Sequence, residues 1–162
     1  MGEENASDKA GGPDHAQLAR AVLAGARAGT LATLLPDGAP FASLVTVGFD
    51  EEGAPLLLLS KLAVHTQNVE RDSRASLLLV EPSAQPDRLA ESRLSLVGRL
   101  VPAAHQEPAR ERFLASHPEA AGYARFGDFR IFRFQTAHGH LVAGFGRIAT
   151  IPAERLHLPL PA

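Results

Sequence analysis

The feature that most constrains this chain is a succession of short apolar runs separated by compact turn clusters, with no space between them for crossover helices. TLATLL (Thr30 to Leu35) meets Pro36-Asp37-Gly38, FASLVTVGF (Phe41 to Phe49) meets Asp50-Glu51-Glu52-Gly53, and LLLLS (Leu56 to Ser60) follows. Proline fixes φ and glycine accepts positive φ, so each cluster suits a reversal of the chain. Parallel neighbours need a connection of about a dozen residues or more, so these runs pair antiparallel. The pattern predicts two successive hairpins, with the three strands in register through local chemistry alone.

The rest of the chain extends this pattern. Leu18, Val22 and Ala26 recur at helical spacing, with Asp14 placed to cap the start and Gly29 to terminate the end. A short, half-exposed helix is expected over Leu62 to Asp72, and one or two helices over His105 to Ala124, broken at Pro118. Further strands are expected at Ala75 to Glu81, Arg93 to Val101, Phe129 to Phe134 and along the run from Leu141 to Ile151. That gives about seven strands and three or four helices. Antiparallel strands in such number close most simply into a barrel, because closure removes exposed edges. The expected fold class is mainly β with helices (α+β), an antiparallel barrel. Residues 1–12 are polar and Gly-containing, which predicts a flexible tail. The barrel domain then covers 13–151, and the proline-rich 152–162 forms a C-terminal tail laid on the surface or across a partner subunit.

Composition narrows the function. A chain of 162 residues makes one domain that buries roughly two-thirds of its unfolded surface without staples. It contains no cysteine, which excludes disulfides, thiolate nucleophiles and cysteine-ligated metals, and fits a reducing cytoplasm. Lys plus Arg is 16 against 18 Asp plus Glu, a balance that disfavours phosphate-backbone binding and so nucleic acid as a partner. The apolar runs are too short for a membrane span, and no signal segment opens the chain.

Chemistry concentrates in LLLLSKLAVHTQNVERDSRASLLL, Leu56 to Leu79. A strand ends at Ser60, a loop carries Lys61, and a helix begins near His65 with Thr66 and Asn68 in its first turn. Free backbone N–H groups, the helix dipole, the hydroxyls and the Lys61 ammonium would converge on an anion such as phosphate. Ordinary helix capping with Lys61 in solvent explains the same residues. His138 and His140 stand two apart, so on a strand both imidazoles face one side, as a shared metal or an axial haem ligand requires; two surface histidines are the plain alternative. Gly144-Phe145-Gly146-Arg147 lacks a full nucleotide-binding glycine pattern, so its glycines are read as allowing close approach to a neighbouring strand or a second subunit. Arg147 could reach a ligand phosphate, a partner carboxylate or only solvent. Phe126, Phe129, Phe132 and Phe134 read as core and interface. No Ser–His–Asp set, carboxylate pair or Walker loop can be assembled, and no catalytic residue is named.

PFASLVTVGFD, LLLLSKLAVHTQNVERDSRASLLL, DFRIFRF and LVAGFGRIATI together resemble the FMN-binding split barrels related to pyridoxamine 5′-phosphate oxidase, above all the HugZ-like haem-utilisation branch. The likeness runs from about His15 to Ile151, with Ser60, Leu62, Ala63, His65, Thr66 and Asn68 carrying the most specific pattern. It implies a homodimer of split barrels with FMN between the subunits. Ser43, Leu44, Val45 and Thr46 would line the isoalloxazine and ribityl chain, and Ser60, Lys61, His65, Thr66 and Asn68 would hold the phosphate, with Arg147 in reach. It implies an FMN-dependent oxidoreductase acting on a small molecule, with haem binding on the same scaffold, or a non-catalytic flavin module, as alternatives. The arginine-rich substrate motifs of the oxidases proper have no equivalent here, so the substrate is left open.

Overall fold

The computed structural model describes residues 14–157. The tail expected at 1–12, and the last part of the one expected at 152–162, lie outside the described residues. In chain order the elements are α1 (His15–Gly25), β1 (Ala28–Leu34), β2 (Pro40–Thr46), β3 (Gly48–Phe49), β4 (Pro55–Ser60), α2 (Val64–Arg71), β5 (Arg74–Val80), β6 (Ser92–Pro102), α3 (Gln106–Ser116), β7 (Phe129–Ala143) and β8 (Ile148–Pro152). The strands form one eight-stranded antiparallel sheet in the order β2-β1-β5-β6-β7-β4-β3, with β8 added on β7. β2 and β3 stand at opposite ends of that order yet are neighbours in the chain, so the sheet curls into a split barrel. The fold class is the one the sequence predicts.

The break between β2 and β3 corrects the second hairpin. Phe41 to Phe49 is not one strand: it bends at Val47, and only Gly48 and Phe49 pair with β4. Leu56 to Ser60 pair instead with Arg133 to Phe129 of β7. The reason lies in the leucine run, which is buried on both faces. Leu57 and Leu59 enter the barrel core, while Leu56 and Leu58 pack with Phe113, Ala120 and Ile131 beneath α3. A strand covered on both sides belongs between packed layers, not at the end of a solvent-faced meander.

Two glycine readings change as well. α1 ends at Gly25 with Ala26 as its C-cap, and Gly29 lies in β1, where a Cβ would come 2.8 Å from Leu78 O and from Leu79 Cδ2. Gly29 therefore permits close strand packing and does not terminate the helix. The run from Leu141 to Ile151 is not one strand. A single 15-residue β7 passes straight through His138-Gly139-His140, the chain reverses at Gly144 (φ 76°) and Gly146 (φ 78°), and Ala143 N–H donates to Arg147 O at 2.9 Å. These two glycines serve a hairpin turn, not a close approach.

α1 lays Ala16, Ala19, Val22 and Leu23 on the barrel, and its Asp14 cap accepts from Ala16 N–H at 3.2 Å. After β8, Leu156 is buried in the same core and Arg155 bonds Asp14 at 2.9 Å, so residues up to His157 strap across α1.

Candidate functional site

α2 packs over β1 and β2, and the predicted anion residues gather around its start. Ser60 Oγ donates to Asp128 Oδ2 at 2.7 Å and accepts from Leu62 N–H at 3.2 Å. Lys61 N–H donates to Asp128 O at 2.8 Å, while its ammonium is exposed and forms no ion pair among the described residues. His65 is half-buried, with Nδ1 3.1 Å from Ser43 Oγ. Burial lowers the pKa of its imidazole below 6.5, so the ring is neutral near neutral pH. Thr66 is 1% exposed, and its Oγ1 has no hydrogen-bond partner. The first N–H groups of α2 have no intrahelical acceptor, and no side chain caps them.

Asn68 does a different job. It is buried, donates through Nδ2 to Thr33 Oγ1 at 3.0 Å, and accepts from Arg71, which also donates to Leu34 O at 2.7 Å. It pins α2 to β1. In β2 the side chains divide between faces: Ser43 and Val45 point inward with their partners Leu31 and Gly29, while Leu44 (81% exposed) and Thr46 point outward. β2 pairs only with β1, so its other edge keeps free backbone groups. Arg147 is exposed in the β7–β8 turn, at the opposite end of β7 from Phe129, the partner of Ser60. Within one chain the structure does not bring Arg147 to α2.

Asp128 is the residue the sequence reading missed. A single acid before FRIFRF carries no motif, and only the β4–β7 pairing delivers it to Ser60. Phe132 and Phe134 are core, whereas Phe126 is exposed. Arg125, Arg130 and Arg133 are held by Glu107, Glu70, and Asp50 with Glu52.

The second constellation is the outer face of the sheet. Leu44, Thr30, Leu78, Ser95, His140 and Thr150 are successive cross-strand partners from β2 to β8. Ala42, Ala32, Ser76, Val97, His138 and Pro152 form the adjacent row. Cross-strand partners share a face, so both rows look outward, and neither contains a carboxylate, lysine or arginine. Gly139 keeps the strand regular between the two histidines. A Cβ there would lie 2.9 Å from Leu94 Cδ1 and 3.0 Å from Leu156 Cδ1. No cluster of three or more potential metal ligands occurs among the described residues. No helix among them is long and apolar enough to cross a membrane.

The elements define a split β-barrel with a polar helix start at one end and two uncharged rows across its outer face. The family model for the CREG β-barrel matches residues 12–157, and the chain belongs to that family. It is 33% identical over 129 residues to a chloroplastic heme oxygenase, HOZ, of Arabidopsis thaliana, covering 77% of this chain and 39% of that relative. It is also similar to a heme binding protein from Mycobacterium smegmatis, at 36% identity and a TM-score of 0.84, over 91% of this chain and 61% of that one. The chain thus spans less than two-thirds of the length of either relative, 39% of one and 61% of the other. A Clostridium acetobutylicum protein related to general stress protein 26, of the pyridoxinephosphate oxidase family, shares the fold at 13% identity. Its TM-score is 0.66, over 89% of this chain and 99% of that one. The resemblance carried by the Ser60 to Asn68 segment and its companions is borne out at the level of family and fold.

Proposed function

We propose that this protein binds haem as a homodimer of split barrels. The observation that carries the reading is the outer sheet face, where Leu44, Leu78, Val97 and Ile148 are exposed around His138 and His140. Neither imidazole has a hydrogen-bond partner among the described residues, so either would be free to ligate the iron. The two rows are half apolar and carry no charge, with Arg93 beyond them in the row of Val142 and Ile148; such a surface suits the flat body of a porphyrin, and a broad one is seldom left open on a monomer. Two relatives above 30% identity bear heme in their names, which adds independent support. Haem, when bound, would supply redox-active iron; His138 and His140 would ligate it and Leu44, Leu78 and Val97 would wall it and limit water. The absence of cysteine suits a reducing compartment such as the cytoplasm. Titration of the purified protein with hemin should shift the Soret band saturably, and His138→Ala with His140→Ala should weaken that shift. An unchanged titration in the double variant removes both residues from the role, and a flat one in the parent chain removes haem.

FMN is the second reading, favoured by the buried, unpartnered Thr66 hydroxyl beside the uncapped start of α2. Ser60, Lys61, His65 and Thr66 would hold the phosphate, with Asn68 fixing the helix. Free backbone groups of Leu44 and Thr46 would meet the isoalloxazine edge, while Ser43 and Val45, whose backbone groups bond β1, would line it with their side chains. Arg147 would reach the site only from a second subunit. FMN would supply hydride transfer to a small-molecule substrate, making the protein an oxidoreductase. A yellow protein with a flavin spectrum, whose FMN affinity falls in Lys61→Ala, would favour this reading; a colourless one that leaves FMN fluorescence unquenched would sink it.

A further inference from the structure

Away from both candidate sites, a cleft of about 540 Å³ opens between the β3–β4 turn, the C-terminal end of β6 and α3. Its size falls in the range of small-molecule sites. The floor is apolar, formed by Leu56, Val101, Pro102, Ala103, Pro108 and Ala109. Its walls carry opposite charges. On the turn side, Asp50 and Glu52 are both held by Arg133, each at 2.6 Å, which leaves the Glu51 carboxylate without an ion pair or hydrogen bond among the described residues. On the α3 side stands Arg112, half-buried and likewise unpaired among the described residues.

The chemistry of this cleft selects a narrow class of occupant. A guanidinium partly withdrawn from water and lacking a partner favours a carboxylate, which its planar fork binds through two hydrogen bonds. A phosphate dianion would face the acidic turn, where two carboxylates share one arginine and a third has none. A simple cation would face Arg112. The arrangement accommodates one molecule that carries a carboxylate for Arg112, an ammonium for Glu51 and an apolar body for the floor. We propose that the cleft is a second ligand site for an apolar zwitterion of amino-acid or dipeptide size, its carboxylate on Arg112 and its amine toward Glu51. The proposal stands whether the barrel carries haem or FMN, because it shares no residue with either site.

The test is a titration of the full chain with three probes, followed through backbone amide NMR shifts: L-phenylalanine, N-acetyl-L-phenylalanine, which lacks the amine charge, and phenethylamine, which lacks the carboxylate. L-Phenylalanine is expected to shift amides of the Glu51 turn and of Val101 to Arg112 saturably, and both truncated probes to bind more weakly. Arg112→Gln should weaken L-phenylalanine by roughly tenfold or more, the loss expected for a charge-assisted pair, and Arg112→Lys by less. Glu51 lies on an exposed turn, so Glu51→Gln should fold normally. It should weaken L-phenylalanine while leaving N-acetyl-L-phenylalanine unaffected or tighter. Equal binding of all three probes, equal binding by folded Arg112→Gln or Arg112→Lys chains, or shifts that never saturate would overturn the proposal.

Discussion

α1 and α2 both pack on the barrel, but they are held there by opposite means. α1 is capped by Asp14 and presents a small apolar stripe, Ala16, Ala19, Val22 and Leu23, to the core. α2 has no side-chain cap, and two of its three buried residues, Thr66 and Asn68, are polar. Hydrophobic burial is non-directional, so α1 is fixed by area removed from water. Polar burial is stabilising only when each group finds its partner. Asn68 has two partners, and Thr66 Oγ1 has none. A helix that buries an unsatisfied hydroxyl next to open N–H groups gives up stability at the place where a ligand can restore it. The contrast supports the proposal that α1 serves the fold and α2 a site.

The sharpest way to break this contrast is to truncate one anchor on each helix. Leu23→Ala leaves a cavity under α1 and is expected to lower unfolding free energy by about 2–5 kcal/mol, with ligand affinity of the remaining folded protein unchanged. Asn68→Ala leaves the Thr33 hydroxyl buried and unpaired, and Arg71 with one acceptor fewer. A loss of about 1–3 kcal/mol is expected, together with weakened FMN or haem binding because α2 loosens. Chemical denaturation and ligand titration on the same samples separate the two cases. If Asn68→Ala costs stability alone, α2 is merely another structural helix.

The contrast also explains what could be read from the chain before any coordinates. α1 was legible because an Asp cap and an apolar stripe are local signals, and α2 because its spacing and polarity match a half-exposed helix. The bend at Val47 was not, since the single Gly48 does not by itself end an otherwise continuous extended run. Its cause is tertiary: Val47 N–H donates to Arg27 O at 2.9 Å, and its carbonyl accepts from buried His117 Nε2 at 2.8 Å. The pairing of β4 with β7, and with it Asp128 beside Ser60, is equally non-local, spanning 68 residues of sequence. Gly29 reads as a helix stop in the sequence, whereas its role depends on Leu78 and Leu79 of another strand. Same-side placement of His138 and His140 could be read from spacing alone, but the continuation of β7 through them, just past a register shift at Ala137, rests on its pairing with β6 and β8.

A smaller effect of the opposite sign sharpens the comparison. Thr66→Val keeps the shape of the side chain and removes a hydroxyl that has no partner. The unliganded protein is expected to gain about 1 kcal/mol, since an unsatisfied buried polar group is a net cost. FMN or inorganic phosphate should then bind more weakly if that hydroxyl faces the ligand. A Thr66→Val protein that is more stable and binds as well as its parent would make the hydroxyl a packing defect and nothing more.

The smallest expected effect is the pH dependence of His65, and its sign is fixed by burial. Desolvation disfavours the imidazolium, so the folded pKa lies below the unfolded value near 6.5. The unfolded chain then binds more protons than the folded one as pH falls past that value, and the share of stability owed to neutral His65 is present above pH 6.5 and lost below it. A phosphate beside the ring reverses the preference, because a nearby anion favours the charged imidazole. NMR titration of His65 should therefore show its pKa rising when FMN or inorganic phosphate is added, with affinity strengthening toward acid pH. His65→Gln keeps a polar side chain without the titration and should flatten that dependence. If the His65 pKa is the same with and without either anion, the phosphate does not sit at the start of α2, and the bare outer face with its two histidines is left as the binding surface.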